Sequence, residues 1–311
     1  MLQTIPTLLI VGTVTFLAIR LAPGNPAEIF VVAYGTNSAD VQETINLIEK
    51  KLGIDKPYIV QYALWLRDVF TGDLGQSFFN KVPVTTLIKQ RLPKSIELAF
   101  VACLLALPIS LTAGVLAAVY RGSWIDNLAT GFITIGIAVP GFWLGIMMVI
   151  LFSVKLEWLP SSGYVPFASD PIGHIKILIM PALTLSILMA GPSMRFLRSS
   201  MLEVLNQDYI RTARAKGLKT RVVIGRHALK NAMIPTITYV GLQFASLLSG
   251  TILIEWVFGW TRVGFMIVKA IGTQDYFVLQ AGVMLLAVFF VFVNLAVDIL
   301  YALLDPRIRY G

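Results

Sequence analysis

The sequence is poor in the residues and motifs on which enzymes and metal proteins depend. Its 311 residues include one cysteine, Cys103, and two histidines, His174 and His227, that lie far apart. A disulfide within the chain is therefore impossible, and a metal site of cysteine and histidine is not expected. The phosphate-binding patterns GxxxxGKS and GxxxxGKT are missing, as are the hydrolase patterns HExxH and GxSxG. We therefore expect no catalytic residue, no metal and no cofactor on this chain.

Charge is also scarce. Only 14% of the residues are charged and 57% are apolar, whereas soluble domains average about 25% charged and 45–50% apolar residues. The composition therefore predicts an integral membrane protein. The net charge is +8, but the basic residues cluster between apolar stretches, as the positive-inside rule for membrane proteins requires. Nucleic-acid binding is not expected.

Six apolar stretches are long enough to cross a bilayer, which takes about 20 residues of helix. The first stretch lacks the basic start and the cleavage site of a secretory signal, so we interpret it as a retained span. A shorter helix, too polar to span, is expected within 260–276. The fold class is therefore an all-α membrane protein with six transmembrane helices. Their predicted bounds are 2–21, 95–119, 128–154, 176–198, 232–256 and 278–303.

The only long polar segment follows the first span, at residues 23–93. Its apolar residues recur at helical spacing over 41–52, and a second helix is expected over 58–70. The stretch GDLGQSF (72–78) is typical of a tight turn, since glycine adopts backbone angles that other residues avoid. We expect a small helical segment on the outer side of the membrane.

An even number of spans places both ends of the chain on one side of the membrane. A basic loop between the fourth and fifth spans orients that side toward the cytoplasm. We therefore expect a multi-pass protein of the cytoplasmic membrane with both termini in the cytoplasm. The predicted division is a first transmembrane helix (1–22), an extracytoplasmic segment (23–93), a transmembrane domain (94–304) with a cytoplasmic loop at 199–230, and a cytoplasmic tail (305–311).

A translocation path is expected where spans break or approach each other closely. Pro140 and Gly141 lie near the middle of the third span, where a proline frees a backbone carbonyl and permits a kink. Gly241, Ser249 and Gly250 form a small-residue face in the fifth span, which permits close helix approach. These five residues are the candidate path residues.

The basic loop is the most distinctive stretch of the chain. Between positions 195 and 235 it carries nine Lys and Arg residues against two acids. A short helix is predicted from Asp208, as its N-terminal cap, to Lys216, with Gly217 ending it. Arg211 and Arg214, three residues apart, project together. Because so short a helix is marginal alone, we expect it to be stabilised in the groove of a partner protein, with Tyr209, Ile210 and Ala213 on one side.

The energy source is predicted to be an external ATPase. The chain has no phosphate-binding loop of its own, and a proton relay needs several ionisable groups across the bilayer. Asn294 and Asp298 share one helical face of the last span, but pairing between helices is the favoured interpretation of two such residues. A secondary transporter or channel is the alternative from another class. A membrane-embedded enzyme is a third alternative that no catalytic set supports.

Several stretches resemble the permease subunits of ATP-binding-cassette (ABC) importers, and the dipeptide, oligopeptide and nickel branch in particular. DYIRTARAKGL (208–218) and HALKNAMIP (227–235) are similar to the cytoplasmic loop of that family. RLAPGNP, LGIDKPYIVQY, GDLGQSF and the ending YALLDPRIRYG extend the resemblance over essentially the whole chain. The general family motif is EAA, three residues, then Gly. Here RTA (211–213) stands in the EAA position and Gly217 is retained, so the usual salt bridge from the motif's glutamate to the ATPase is not carried over to Arg211.

The resemblance implies the type I ABC importer permease fold and a coupling helix that docks into a nucleotide-binding subunit. It implies a homologous second permease subunit, two ABC ATPase subunits that bind ATP and Mg, and an extracytoplasmic solute-binding protein. The substrate is expected to be a di- or oligopeptide, with nickel, glutathione or another small solute as alternatives, in a bacterial or archaeal cytoplasmic membrane. Members usually begin with a short basic segment, which predicts a late-assigned or trimmed start here. The coupling residues are Asp208, Tyr209, Ile210, Arg211, Thr212, Ala213, Arg214, Ala215, Lys216 and Gly217.

Overall fold

The regular elements of the chain are helices, seen in a computed structural model described over residues 4–21, 24–25, 27–28, 31, 41–250, 252–260 and 262–304. The helices are α1 Thr4–Leu21, α2 Val41–Leu52, α3 Tyr58–Thr71, α4 Val84–Val119, α5 Trp124–Ala138, α6 Gly141–Met148, α7 Pro171–Leu205, α8 Asp208–Ala215, α9 Lys230–Gly250, α10 Ile252–Val257, α11 Val263–Thr273 and α12 Tyr276–Leu304. A π-helical stretch, Val149–Lys155, continues α6. A turn at Thr220–Val222 and a second π-helical stretch, Val223–Leu229, precede α9.

A helix or helix pair occurs at each of the six predicted spans. The helices α4, α7 and α12 are long and apolar enough to cross a membrane by themselves, and the bent pair α5–α6 is a fourth candidate when taken as one span. The helices α1 and α9 coincide with the first and fifth predicted spans. Helices suit a bilayer because each satisfies its own backbone hydrogen bonds. The tail at 305–311 lies outside the described residues.

The predicted kink of the third span is confirmed, and the bend is large enough to divide the span into two helices. The axes of the α5 and α6 segments meet at 104° across Val139 and Pro140. Pro140 has no backbone N–H and its ring obstructs the preceding turn, so the helix ends before it and restarts at Gly141. The third span is therefore two helical segments.

One predicted boundary is corrected. The helix predicted from residue 95 begins at Val84, so the last part of the polar segment is helical. In the fifth span, predicted over 232–256, helix is described over Lys230–Gly250 and Ile252–Val257, and position 251 lies outside the described residues. Hydropathy marks the apolar part of a helix, whereas the hydrogen-bonded ladder extends into polar residues wherever these can reach water. The predicted helices at 41–52, 58–70 and within 260–276 are confirmed.

The chain forms two compact units, of which the first contains the described residues up to 94 together with 262–289. Its core brings the start of α4 against α11 and α12. A second apolar contact joins α1 and α3, where the rings of Phe16, Tyr62 and Trp65 lie with centroids 5.3–5.8 Å apart. The core residues are Val84, Leu87, Ile88, Val263, Met266, Ile267, Ala270, Val278 and Ala281.

The GDLGQSF turn is held by a buried carboxylate of the same unit. Gly72 and Gly75 adopt φ of +78° and +73°, as predicted for glycine at these places. The Ser77 hydroxyl donates to Oδ2 of Asp275 over 2.6 Å, and the backbone N–H groups of Phe78 and Phe79 also donate to this carboxylate. Burial raises the pKa of Asp275, and these hydrogen bonds partly oppose the rise. Asp275 thus fixes the turn beside the start of α12.

The second unit, described over 95–250, 252–260 and 290–304, is built around α7. A Cβ atom on Gly136 of α5 would lie 3.4 Å from the Cα of Gly191 in α7. A Cβ atom on Gly114 of α4 would lie 3.1 Å from the carbonyl oxygen of Met194, also in α7. Small residues thus let α7 approach two neighbouring helices backbone to backbone, which is how helices associate in lipid.

Candidate functional site: the loop 199–230 and its supports

The short helix α8 is present at the predicted place, but its N-terminal cap differs from the prediction. Gln207 is the cap and Asp208 is the first helical residue. The carboxylate of Asp208 instead lies 3.4 Å from Nη1 of Arg211, one turn along. An acidic side chain in the first turn still stabilises the helix, because the N-terminal end carries partial positive charge.

The predicted end of the helix at Gly217 is confirmed. The N–H of Gly217 donates to the carbonyl of Arg214 over 2.9 Å, and the N–H of Leu218 donates to the carbonyl of Ala213 over 3.4 Å. This pair of bonds closes a helix when the residue after its cap is left-handed. Gly217 has φ of +75°, a conformation that other residues adopt only with strain.

One face of α8 is buried within this chain. Ile210 is completely buried and Ala213 is 7% exposed. They pack into a core formed by the ends of α4, α7 and α9 and by the π-helical stretch at 223–229. The sequence-based interpretation left these residues for a partner's groove, and the structure corrects this, because the chain's own core already covers them. The other members of this core are Ala118, Leu197, Met201, Val223, Ala228 and Ala232.

The opposite face of α8 is exposed and basic. The side chain of Arg211 is 75% exposed, and Tyr209 is 43% exposed although its hydroxyl accepts from Nδ2 of Asn231 over 3.0 Å. The other eight predicted coupling residues, which are Asp208, Tyr209, Arg211, Thr212, Arg214, Ala215, Lys216 and Gly217, are all exposed. The structure thus brings the predicted residues together on one helix and its C-terminal end, with Ile210 and Ala213 on its buried face and the other eight exposed to solvent.

An ion pair that the sequence analysis did not find supports the loop from α7. Arg198 donates through Nε to Oδ1 of Asp126 over 2.7 Å and through Nη2 to Oδ2 over 2.8 Å. The backbone N–H of Gly122 donates to the same carboxylate over 3.0 Å. Asp126 lies in the first turn of α5, and only 8% of its side chain is exposed. The pair ties α5 to α7 seven residues before the end of α7 at Leu205.

The five candidate path residues fall into two groups. Pro140 and Gly141 lie at the bend between α5 and α6, and a Cβ atom on Gly141 would press on Leu188 and Ile254. Gly241 packs against the side chain of Val297. Ser249 and Gly250 are the last described residues of α9, and their side-chain surroundings lie outside the described part of the chain. Gly141 and Gly241 are thus places of close packing.

The comparisons with known proteins decide the family. The sequence model for the inner membrane component of binding-protein-dependent transport systems matches residues 110–310, and the model for its N-terminal part matches residues 1–99. The chain belongs to this family. The type I permease fold predicted from the resemblance is confirmed, and the secondary-transporter alternative is set aside.

Relatives of this permease match over almost its whole length. A putative peptide transport system permease of Brucella abortus is 43% identical over 308 residues, which are 99% of this chain and 96% of that protein. A dipeptide transport system permease of Alkalihalophilus pseudofirmus is 40% identical and covers 100% of this chain and 98% of its own. A glutathione transport system permease of Salmonella typhimurium is also 40% identical, over 100% of this chain and 97% of its own.

Solved structures show the same fold at low identity. A chain of the MetNI methionine ABC transporter superposes with a TM-score of 0.57 at 17% identity, over 70% of this permease and 96% of that chain. A chain of an amino acid ABC transporter superposes with a TM-score of 0.52 at 15% identity, over 72% and 95% of the two chains. At such identities the likeness concerns the fold alone.

Proposed function

We propose that this permease imports short peptides, driven by separate ATPase subunits that dock on the exposed face of α8. The intact transporter would contain a homologous second permease, two ABC ATPase subunits that bind ATP and Mg, and an extracytoplasmic solute-binding protein. Each permease would contribute half of the path through the bacterial or archaeal cytoplasmic membrane.

The two-sided burial of α8 carries this proposal. A loop whose only role was to orient the chain in the membrane would not need a buried face. Ile210 and Ala213 nevertheless pack in the core of the second unit. The anchored helix therefore presents Tyr209, Arg211 and Arg214 on a rigid support. A push on this face would be transmitted to the helices that pack beneath it, because packed interiors do not deform continuously.

The orientation follows from the same loop. With 199–230 in the cytoplasm, both termini are cytoplasmic and the polar segment 23–93 lies outside, where it can meet a binding protein. The transmembrane domain is then 94–304. Closure of the ATPases would tilt the third to fifth spans, whose breaks and close contacts at Pro140, Gly141, Gly241, Ser249 and Gly250 would line or border the path.

The substrate class is supported by the relatives. Two of the proteins described above are named for peptide or dipeptide transport, and a third is named for transport of glutathione, itself a small peptide. Nickel or another small solute is the alternative substrate. Calorimetric titration of the cognate binding protein with dipeptides, glutathione and nickel would decide between these substrates, and tight binding of nickel alone would overturn the peptide assignment.

Charge reversal on the exposed face tests the coupling. The double variant Arg211→Glu, Arg214→Glu should insert into the membrane normally but lose at least about tenfold of peptide uptake, since two interface charges would become repulsive. ATPase subunits should also co-purify poorly with it. Lys89→Glu, an exposed reversal at the start of α4, is the matched control and should transport normally. Normal uptake by the double variant would refute α8 as the coupling helix.

A further inference from the structure

The first unit encloses a cavity of about 310 Å³ between α1, α3, the turn after α3 and the start of α12. In the proposed orientation it opens on the outer side of the membrane. Its wall mixes positive charge (Arg20, Lys50 and Lys56), negative charge (Asp68 and Asp73) and apolar side chains that include Trp65, Phe277 and Met284. This volume is at the lower end of the range for small-molecule sites, which are mostly apolar with a few placed polar groups.

Two buried amide side chains belong to the wall of this cavity, and each has one buried polar atom that is unpaired among the described residues. Gln61 is 6% exposed and Gln280 is 3% exposed. The Nε2 atom of Gln61 donates to the carbonyls of Ile54 and Lys56, over 3.1 and 2.6 Å, which fixes the orientation of its amide. Among the described residues, its Oε1 atom therefore remains an acceptor without a partner, and Nε2 of Gln280 is a donor without a partner. An atom left unpaired in a protein interior destabilises the fold, so a ligand that pairs with it is favoured.

One free acceptor and one free donor are what a peptide group requires. A peptide group offers one N–H and one C=O, which can donate to Oε1 of Gln61 and accept from Nε2 of Gln280. A simple anion or a hydrocarbon chain offers no donor to Gln61. The two amides therefore favour a ligand that contains an amide bond over a fatty acid or an inorganic ion.

Arg20 supplies a site for a carboxylate at the same cavity. Its guanidinium lies over the rings of Phe16 and Tyr276, 5.5 and 5.1 Å from their centroids. With its faces covered, its donors are available only at the edges, and Nε and Nη1 are buried without a hydrogen-bond partner among the described residues. Guanidinium edges pair well with carboxylates.

The acidic residues of the wall complete the match to a zwitterion. The Oδ1 atom of Asp73 accepts from the N–H of Gly75 over 2.9 Å, and Asp68 pairs with the exposed Arg67 through its own Oδ1. Each carboxylate has a second oxygen with which an ammonium group can pair. The aromatic and aliphatic wall accepts an apolar side chain.

We propose that this cavity is a binding site for a short zwitterionic peptide with an apolar side chain. The carboxylate lies at Arg20, one peptide group lies between Gln61 and Gln280, and the ammonium lies toward Asp73. The site is separate from α8 and from the candidate path residues. It rests on the proposed function only in that peptides are the expected cargo, and its binding chemistry is measured without transport.

The test is calorimetric titration with the dipeptide Leu-Leu of the complex of permeases and ATPase subunits in lipid nanodiscs, without the solute-binding protein, which binds peptides itself. Gln280→Leu keeps the size of the side chain and removes the donor, so binding should weaken about fivefold to tenfold. Arg20→Gln should weaken it about tenfold or more, because a charged contact is lost. Gln90→Leu, an exposed glutamine outside the cavity, is the matched control and should bind as the wild type does.

Three further ligands make the result specific. N-acetyl-Leu-Leu-amide keeps the peptide groups without the end charges, octanoate keeps the carboxylate and an apolar chain without a peptide group or an ammonium, and phosphatidylglycerol added to the nanodiscs tests a lipid headgroup. Each should bind at least about tenfold more weakly than Leu-Leu or fail to compete with it. Equal binding of octanoate or competition by the lipid would overturn the peptide assignment.

Two outcomes separate this inference from the proposed function. Absence of saturable Leu-Leu binding, or equal binding by Gln280→Leu and the wild type, overturns the site even where the wild-type transporter imports peptides. Binding without any peptide uptake leaves the site standing and refutes the proposed function. Where Gln280→Leu does not fold, Arg20→Gln decides, provided that its thermal unfolding midpoint matches that of the wild type.

Discussion

Arg198 and Asp126 form a bidentate ion pair, in which Nε and Nη2 of the arginine lie 2.7 and 2.8 Å from the two carboxylate oxygens. They are 72 residues apart in the sequence. Because Asp126 is buried at the start of α5 and Arg198 lies on α7 shortly before α8, the pair links two helices of the second unit next to the proposed docking face.

Breaking this pair should destabilise the permease strongly. Arg198→Ala leaves a buried carboxylate without its cation, which costs about 3–5 kcal/mol, and thermal unfolding in detergent should show a lower midpoint. Arg195→Ala removes an exposed arginine three residues earlier on α7 and should change the midpoint little. The double variant Asp126→Ala, Arg198→Ala should be more stable than either single one, since no unpaired charge remains. Equal midpoints for Arg195→Ala and Arg198→Ala would contradict the structure.

Gly217→Ala should impair coupling through backbone strain. A Cβ atom at this position meets no described neighbour within 4 Å, but φ is +75°, and this conformation costs an alanine about 1–2 kcal/mol. The end of α8 should shift or fray, and peptide-stimulated ATP hydrolysis by the reconstituted transporter should fall. Gly225→Ala is the matched control, because that glycine is equally open but does not have a positive φ. Coupling that is lost equally in both variants would argue against a special role for Gly217.

Gly136→Ala should separate α5 from α7. The added methyl group would lie 3.1 Å from the carbonyl oxygen of Ile187 and 3.4 Å from the Cα of Gly191. Backbone atoms cannot move aside as a flexible side chain can, so we expect a loss of about 1–3 kcal/mol, measured as a lower thermal unfolding midpoint. Gly131→Ala lies on the same helix, where an added Cβ atom would meet no atom of the described residues within 4 Å, and should be neutral or stabilising. A reversed order of the two midpoints would exclude this helix crossing.

Asp275 should make the stability of the first unit depend on pH. Burial raises its pKa above the ordinary 3.8, so the folded state holds the proton over a pH range in which the unfolded state has lost it. The contribution of Asp275 to the free energy of unfolding is therefore complete below about pH 3.8. It declines as the pH rises through the raised pKa, by about 1.4 kcal/mol for each pH unit by which the pKa is raised.

Asp275→Asn isolates this effect because an amide does not ionise but keeps an oxygen acceptor for Ser77. The difference in unfolding midpoint between the wild type and Asp275→Asn should move in favour of the variant when the measurement is repeated from about pH 4 to about pH 7, because the pKa of Asp275 is raised. Asp55→Asn, at an exposed position, should show no such trend. A difference that moves toward the wild type as the pH rises would reverse the sign of the pKa shift.

The sequence predicted the local backbone conformation correctly wherever a residue type restricts its own φ and ψ angles. Pro140 ends one helix and starts the next, because proline cannot continue the hydrogen-bonded ladder. Gly72, Gly75 and Gly217 have the positive φ expected of them. The apolar runs predicted a helix at each of the six spans, since a run of some 20 apolar residues has few other stable places.

The sequence did not predict which surface covers the apolar face of α8. Helical spacing groups Ile210 with Ala213, but spacing does not say what covers them. They were expected in a partner's groove, whereas Leu197 and Ala118 of the same chain cover them. A short amphipathic helix has one apolar stripe, and only the packing of distant segments decides which surface receives it.

The sequence by itself determined the membrane class, the helices with their breaks, and the place of the basic loop, because hydropathy, proline and glycine act over a few residues. The tertiary structure alone decided the Asp126–Arg198 pair, the inner face of α8 and the cavity with its unpaired amides. Each of these depends on side chains from segments far apart in the chain, and the free energy of a buried charge or amide is set by the neighbours that folding brings to it.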